Sequence, residues 1–228
     1  MINSNKSFFD FLDQYAAPDP GKRRIYRGEP CASYKLTPGI ERQKSPAGVA
    51  FTEKDEDLLF RHFKERACPY LDRHYGNLSL WALAQHYRLP TRLLDWSRNP
   101  LIAAYFAVEH ATDRPHKPSA IHVLENYPEP RISHNFSIKV TEVTVFAPAY
   151  LDARIVNQRG LFTVHPYPWA PLTAAALPGA LLTKVCISWN YRRKLRKLLN
   201  VLGVNESIIY PGMEGVAKHL RWMKTDTW

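Results

Sequence analysis

A chain of 228 residues suffices for one large domain or two small ones, and nothing along it marks a break between halves, so a single domain is expected. A hydrophobic fraction of 45% with 12% aromatics excludes a disordered chain. The net charge of +10 favours an anionic partner such as nucleic acid, a nucleotide or a phosphorylated ligand, without choosing among them.

Cys31, Cys68 and Cys186 lie far apart and form no Cys-x-x-Cys pair, which points away from a disulfide framework or a structural zinc site. Asp10 and Asp13 interrupt the apolar run MINSNKSFFDFLDQY, so it does not read as a signal peptide. No apolar stretch has the length of a bilayer span. The expectation is a soluble cytoplasmic protein.

In chain order, Ser7 is expected to cap a helix from Phe8 to Tyr15, ended by Pro18, Pro20 and Gly21. KRRIYRG predicts a strand over Arg23–Arg27, stopped by Gly28. The Pro/Gly-rich loop LTPGIERQKSPAG follows. A helix from Thr52 to Lys64 starts on a Thr52/Asp55 capping box and carries an apolar stripe of Leu58, Leu59 and Phe63. Leu78 to Tyr87 has helical spacing and is broken at Leu89-Pro90. Arg92 to Trp96 reads as a strand or extended turn. Pro100 then suits the first turn of a buried helix over Leu101–His110, with Ser97 or Asn99 as cap.

SAIHVLEN, VTEVTVFAP, GLFTVH and LLTKVCIS read as strands, and Ala153–Asn157 as a short helix or extended turn. YPWAPLTAAALPG is ambiguous. Asn190 to Leu202 predicts an amphipathic helix. Tyr191, Leu195, Leu198, Leu199 and Leu202 form its apolar face, basic residues cover the rest, and Gly203 is its stop. A last helix spans Met213–Met223. Helices and strands mix without regular alternation or repeats, so the expected class is α+β, with a mixed or antiparallel sheet core flanked by helices.

Several segments carry more hydrogen-bonding groups than a core requires. In Tyr26-Arg27-Gly28, a strand arginine can present a rigid fork to a phosphate, and the glycine lets a ligand or another backbone come close. The alternative is a surface arginine before a turn. In Gln85-His86-Tyr87, His86 reads as a base, a ligand contact or a buried hydrogen-bonded histidine. In the Thr91–Ser97 stretch, Arg92 and Asp95 are candidates for a structural ion pair, Asp95 for a helix cap, and Trp96 for stacking on a flat ligand. Ser97 and the following helix start are placed to meet a phosphate or ribose. Gln158, in the turn before Phe162, is a candidate reader of an amide or hydroxyl. Glu214 is a carboxylate near a helix start, with a catalytic role as the alternative to a simple dipole contact. Arg192, Arg193, Arg196 and Lys197 read either as a solvated helix face or as contacts to a nucleic-acid backbone. No Cys/His cluster or HExxH suggests a metal. P-loop, GxGxxG, GxSxG and DxDxDG patterns are also missing, which argues against kinase, dehydrogenase, α/β-hydrolase and EF-hand chemistry.

Taken together, YRG, WALAQHYRLPTRLLDWSRNPLIAAYFAV, NQRGLFTVH and IIYPGMEGVAKHL resemble the FRG domain family from Ile25 to Leu220. On this resemblance residues 1–22 are a lead-in helix and 23–228 the FRG domain. A weaker similarity links Tyr26-Arg27-Gly28, and Thr91 to Ser97 with the helix after it, to mono-ADP-ribosyltransferases. That similarity implies an ADP-ribosyltransferase-like fold and an NAD-using enzyme, a toxin or anti-phage defence factor acting on a protein or nucleic-acid target. It places Arg27 on the NAD pyrophosphate and Tyr26, Trp96 or Phe162 against the nicotinamide. Gly28, Gln85, His86, Thr91, Arg92, Asp95 and Ser97 line the pocket, and Gln158 or Glu214 stands where the family has a glutamate. The competing expectation is a non-catalytic nucleotide- or nucleic-acid-binding module.

Overall fold

The computed structural model describes residues 1–17, 19, 21–71, 76–110, 116–131, 138–148 and 153–227. Its helices are α1 (Asn5–Ala16), α2 (Glu53–Ala67), α3 (Asn77–His86), α4 (Pro100–Val108), α5 (Ala153–Asn157), α6 (Trp189–Val201), α7 (Glu206–Ile209) and α8 (Met213–Trp222). The strands are β1 (Arg24–Glu29), β2 (Leu93–Ser97), β3 (Ser119–Glu125), β4 (Thr144–Phe146), β5 (Gly160–Val164) and β6 (Leu181–Ile187). The expected α+β class is observed.

The strands form one open sheet in the order β4-β5-β2-β1-β3-β6, every neighbouring pair antiparallel. Its halves differ in how they join. Within each half the ladders are continuous: β1 pairs with β3 over six residues and β2 with β5 over five. Between the halves, β1 and β2 meet at one pair, Tyr26 opposite Ser97. Beyond it the strands part.

One face of the sheet carries two separate helix layers. Over β1 and β3, the helices α1, α4 and α6 pack around Tyr26, Ile121 and Val123. Over β2, β4 and β5, α3 and α5 cover Leu93, Phe146 and Phe162. The two layers flank the seam where β1 and β2 part. The opposite face holds Ile25, Leu94, Trp96 and Leu161 under loop residues such as Leu172 and Leu177.

Gly28 does not stop β1, which runs on to Glu29. It admits α4 instead: a Cβ there would lie 1.9 Å from the Ala103 carbonyl oxygen and 2.5 Å from the Ala107 nitrogen. The α4 residues that meet it are alanines, so backbone packs on backbone. Gly215 does the same for α8, where a Cβ would lie 1.8 Å from the Tyr210 carbonyl oxygen.

Other boundaries differ from expectation for local reasons. Ser4, not Ser7, caps α1, because the Ser4 and Ser7 side chains each engage the other's backbone N–H in a capping box. The Thr52/Asp55 box forms as expected. The stripe on α2 is another matter: Leu58 is exposed, and Glu56 is the buried residue of that helix. Its ties to the rest of the fold include the Glu56–Arg92 ion pair and a parallel stack of Phe60 on Trp81 at 3.8 Å. VTEVTVFAP contributes three strand residues, and YPWAPLTAAALPG is irregular apart from a single-turn 3-10 helix at Ala174–Ala176. Helix α7, capped by Asn205, was not foreseen.

Replacing Gly28 with alanine is expected to destabilise the fold by about 3 kcal/mol, because neither clashing atom belongs to a side chain that can turn away. Denaturant unfolding of the variant checks this; a change below about 0.5 kcal/mol would contradict the packing described.

Candidate functional site

The parted strands open a cleft of about 340 Å³. Its floor is the β1–β2 seam, and α3, α4, α5 and Tyr210 form its walls. On the side where β2 has parted from β1, the Asp95 carbonyl would be left without a donor. The Arg27 guanidinium supplies one, with Nη1 2.8 Å from that oxygen. Its Nε donates to Glu29 Oε1 at 2.8 Å, and Asp95 Oδ2 lies 3.6 Å from Nη1. Burial works against the Arg27 charge, but Glu29 and Asp95 outweigh it and raise the pKa above the ordinary arginine value.

Gln85, in the last turn of α3, is fixed from two sides. Thr91 Oγ1 donates to its Oε1 at 2.8 Å, and its Nε2 donates to Asp95 Oδ2 at 3.0 Å. The result is a relay from Thr91 through Gln85 to Asp95 and on to Arg27 and Glu29. The Asp95 side chain is 56% exposed, so its carboxylate is oriented by Gln85 yet open to the cleft.

Of the residues singled out from sequence, Tyr26, Arg27, Gly28, Gln85, His86, Asp95, Trp96, Ser97, Gln158 and Phe162 all border this one cleft. Segments about 130 residues apart in the chain therefore converge. Several nevertheless serve differently from expectation. Arg92 does not pair with Asp95 and does not reach the cleft. It is buried, with Nε 2.7 Å from Glu56 Oε2 and Nη2 2.9 Å from Glu53 Oε1, because its position in the chain turns it toward α2. Thr91 is also buried and acts through Gln85. Asp95 caps no helix: the Asn99 side chain takes the Leu101 N–H.

The Trp96 ring packs on the far face of the sheet, and its indole N–H donates to Thr163 Oγ1 at 3.1 Å, so it is not placed to stack on a ligand. Tyr26 is likewise core, its hydroxyl donating to the Tyr15 carbonyl and anchoring α1. Ser97 donates to the Gln158 carbonyl at 2.7 Å and accepts from the Asn99 N–H, holding β2 against the turn before β5. The Gln158 amide donates to the Ile209 carbonyl at 3.1 Å.

Glu214 lies outside the cleft, in an adjoining hollow, where it pairs with Lys218 at 2.7 Å. That hydrogen bond lowers its pKa. On α6 the expected basic face is divided. Arg192 is fully buried, with Nη2 2.7 Å from the His110 carbonyl, and Arg196 is bound to Glu206 and to the Glu109 carbonyl. These two hold α6 to α4 and α7 and are not open to a phosphate backbone. Arg193 and Lys197 are exposed.

Sequence reasoning missed Glu29, Glu109, Arg154 and Tyr210. The signal for Glu29 was available: two residues beyond Arg27 on a strand is the same face. Glu109 accepts from the Tyr210 hydroxyl at 2.6 Å, and Arg154 lies over the Tyr210 ring at 4.2 Å, contacts that only the fold creates. Among the described residues no group of three or more His, Cys, Asp or Glu could hold a metal ion.

The comparisons with known proteins bear on the first half of this site. Residues 22–116 match the FRG domain. The FRG match takes in Arg27, Glu29, Gln85, His86 and Asp95, and it ends before Arg154, Gln158, Phe162 and Tyr210, so the cleft is closed by residues beyond it. No curated protein and no solved structure matches the chain. No described helix is long and apolar enough to cross a membrane.

Two buried histidines surround the Arg27 charge. His122 sits directly opposite Arg27 in the β1–β3 ladder, and neither ring nitrogen has a hydrogen-bond partner. Burial, with Arg27 and Lys184, lowers its pKa to about 4; His165 is also lowered to about 4, mainly by burial. Both therefore take up a proton more readily in the unfolded chain. Stability is expected to be full above about pH 6.5 and to fall as pH drops toward 4, by up to about 3 kcal/mol per histidine. Urea midpoints measured across that range test this. His122→Phe should flatten the profile, and an unchanged slope would refute the assignment.

Proposed function

We propose that the cleft binds NAD and that the protein is an ADP-ribosyltransferase-like enzyme, transferring the ADP-ribosyl group to a protein or nucleic-acid target. The observation that carries this reading is the convergence of Arg27, Gln85, His86, Gln158 and Phe162 around the oriented, half-exposed carboxylate of Asp95. In NAD the bond from nicotinamide to the ribose breaks with its electron pair moving to the cationic ring nitrogen, so nicotinamide leaves neutral. The ribose carbon is left carrying positive charge. A fixed carboxylate beside it stabilises that charge.

Asp95 is the group we assign to this role, in place of Gln158 or Glu214. The Gln158 amide is neutral and donates to Ile209, while Glu214 is paired to Lys218 outside the cleft. Gln85 acts by positioning Asp95. Phe162 offers the apolar wall for the nicotinamide ring. His86, which lines the cleft, is the group we assign to take the proton that the attacking nucleophile releases.

The alternative of a non-catalytic nucleic-acid-binding module draws on the net charge of +10 and on the exposed Arg193 and Lys197. Burial of Arg192 and the pairing of Arg196 with Glu206 remove half of the contacts it invoked.

The test is release of labelled nicotinamide from NAD, in the presence of mixed protein and nucleic-acid acceptors. The intact protein should release it, and Asp95→Asn, which keeps the shape of the side chain, should slow release about a hundredfold or more. Release that proceeds equally in Asp95→Asn would remove the carboxylate from the reaction. No release with any acceptor would end the enzyme reading.

A further inference from the structure

Next to the cleft lies a second hollow of about 660 Å³, lined by His86, Arg88, Arg154, Tyr210 and Glu214 among others. It shares His86, Arg154 and Tyr210 with the cleft, so the two are lobes of one cavity system. Their charges are opposite in sense. The cleft sets Glu29, Asp95 and Glu109 against Arg27, whose charge Glu29 and Asp95 already compensate, and against the shared Arg154 at its border with the hollow. The hollow sets Arg88 and Arg154 against Glu214, whose charge Lys218 compensates. A ligand that spans both meets anions in one lobe and cations in the other.

Arg88 is the unusual residue. It ends α3 in a Schellman motif: its N–H bonds to the Gln85 carbonyl, and the Leu89 N–H reaches back to the Ala84 carbonyl. That places Arg88 at the position where glycine is usual, with φ of 67°. A non-glycine residue in this conformation is disfavoured, and strain of this kind gathers at ligand sites. The Arg88 side chain makes no hydrogen bond or ion pair at contact distance with any described residue, and its charge, like that of Arg154, acts on the Glu214 carboxylate across the hollow. The neighbouring Tyr87 is largely exposed, with its ring edge-on to His86 at 4.9 Å.

We infer that the hollow is a diphosphate subsite, in which Arg88 with Arg154 receives the phosphates of the nucleotide whose cationic end occupies the cleft. The inference rests on the nucleotide reading of the cleft and names the group that holds the phosphates. Arg27, already bound to Glu29 and to the Asp95 carbonyl, is then a seam-closing residue and not the phosphate clamp.

Titration calorimetry with ADP and with adenosine tests this on the intact chain, compared with Arg88→Gly. The intact protein should prefer ADP by about tenfold or more. Arg88→Gly should lose that preference, keep its adenosine affinity, and melt at the same or a higher temperature, since glycine suits the backbone there. Equal affinity for ADP and adenosine in the intact protein would overturn the subsite, as would an ADP preference that survives in Arg88→Gly. Displacement of ADP by a short oligonucleotide with steep salt dependence would assign the anion to a nucleic-acid backbone and overturn it too. The nicotinamide-release assay separates the two readings. An Arg88-dependent ADP preference without release keeps the subsite and removes the transfer reaction. Release with the same KM in Arg88→Gly keeps the reaction and removes the subsite.

Discussion

The guanidinium of Arg27 holds together a sheet that its own ladder does not. β1 and β2 share one backbone pair, and beyond it the Asp95 carbonyl turns to Arg27 for its hydrogen bond. This contact gives the Asp95 carbonyl a donor where the strands part. The cleft exists because the strands part, so a single side chain both creates the space and supplies part of its floor. Glu29 on one side and Asp95 on the other make the arrangement electrically tolerable at a partly buried position.

The surrounding helices depend on equally few contacts. Gly28 and the alanines of α4 bring that helix to backbone contact with β1, which sets the wall of the cleft on that side. The other wall, α3, is backed by α2, which is held by the buried Glu56–Arg92 pair and the Phe60–Trp81 stack together with the Glu53–Arg92 and Asp57–Lys139 pairs. Removing one partner of such a pair leaves an uncompensated buried charge, at a cost of about 3–5 kcal/mol. Much of what looks like a dense polar motif between Gln85 and Ser97 is therefore divided labour. Arg92 and Thr91 brace, Gln85 orients, and Asp95 faces the open space.

The segments after the FRG match complete the site. Arg154, Gln158, Phe162 and Tyr210 come from α5, the turn after it, β5 and the turn before α8, and α6 and α7 set that last turn in place through Arg196 and Glu206. The basic character of α6 serves this internal task in part. A cluster of arginines on an amphipathic helix reads as surface from spacing alone, yet Arg192 lies on the buried face between Tyr191 and Leu195 because the His110 carbonyl waits there for a donor.

Local chemistry made much of the architecture legible. The Thr52/Asp55 box, a cap before Pro100, the strand at Ser119–Glu125 and the α6 helix ending before Gly203 are decided within a few residues, and they formed as read. Tyr-Arg-Gly, Gln-His-Tyr and Asp-Trp-Ser could also be marked as site candidates, since a core does not need their hydrogen-bonding density. Tertiary structure alone settled which of these side chains face the cleft. Sequence spacing ranks Arg92 and Asp95 as natural partners, but Arg92 sits at the bend before β2 and reaches Glu56 on α2, while Asp95 within β2 meets Gln85 and Arg27. The roles of Glu109, Arg154 and Tyr210 were invisible for the same reason: their partners are brought close only when distant strands and helices pack, and no local pattern encodes that proximity.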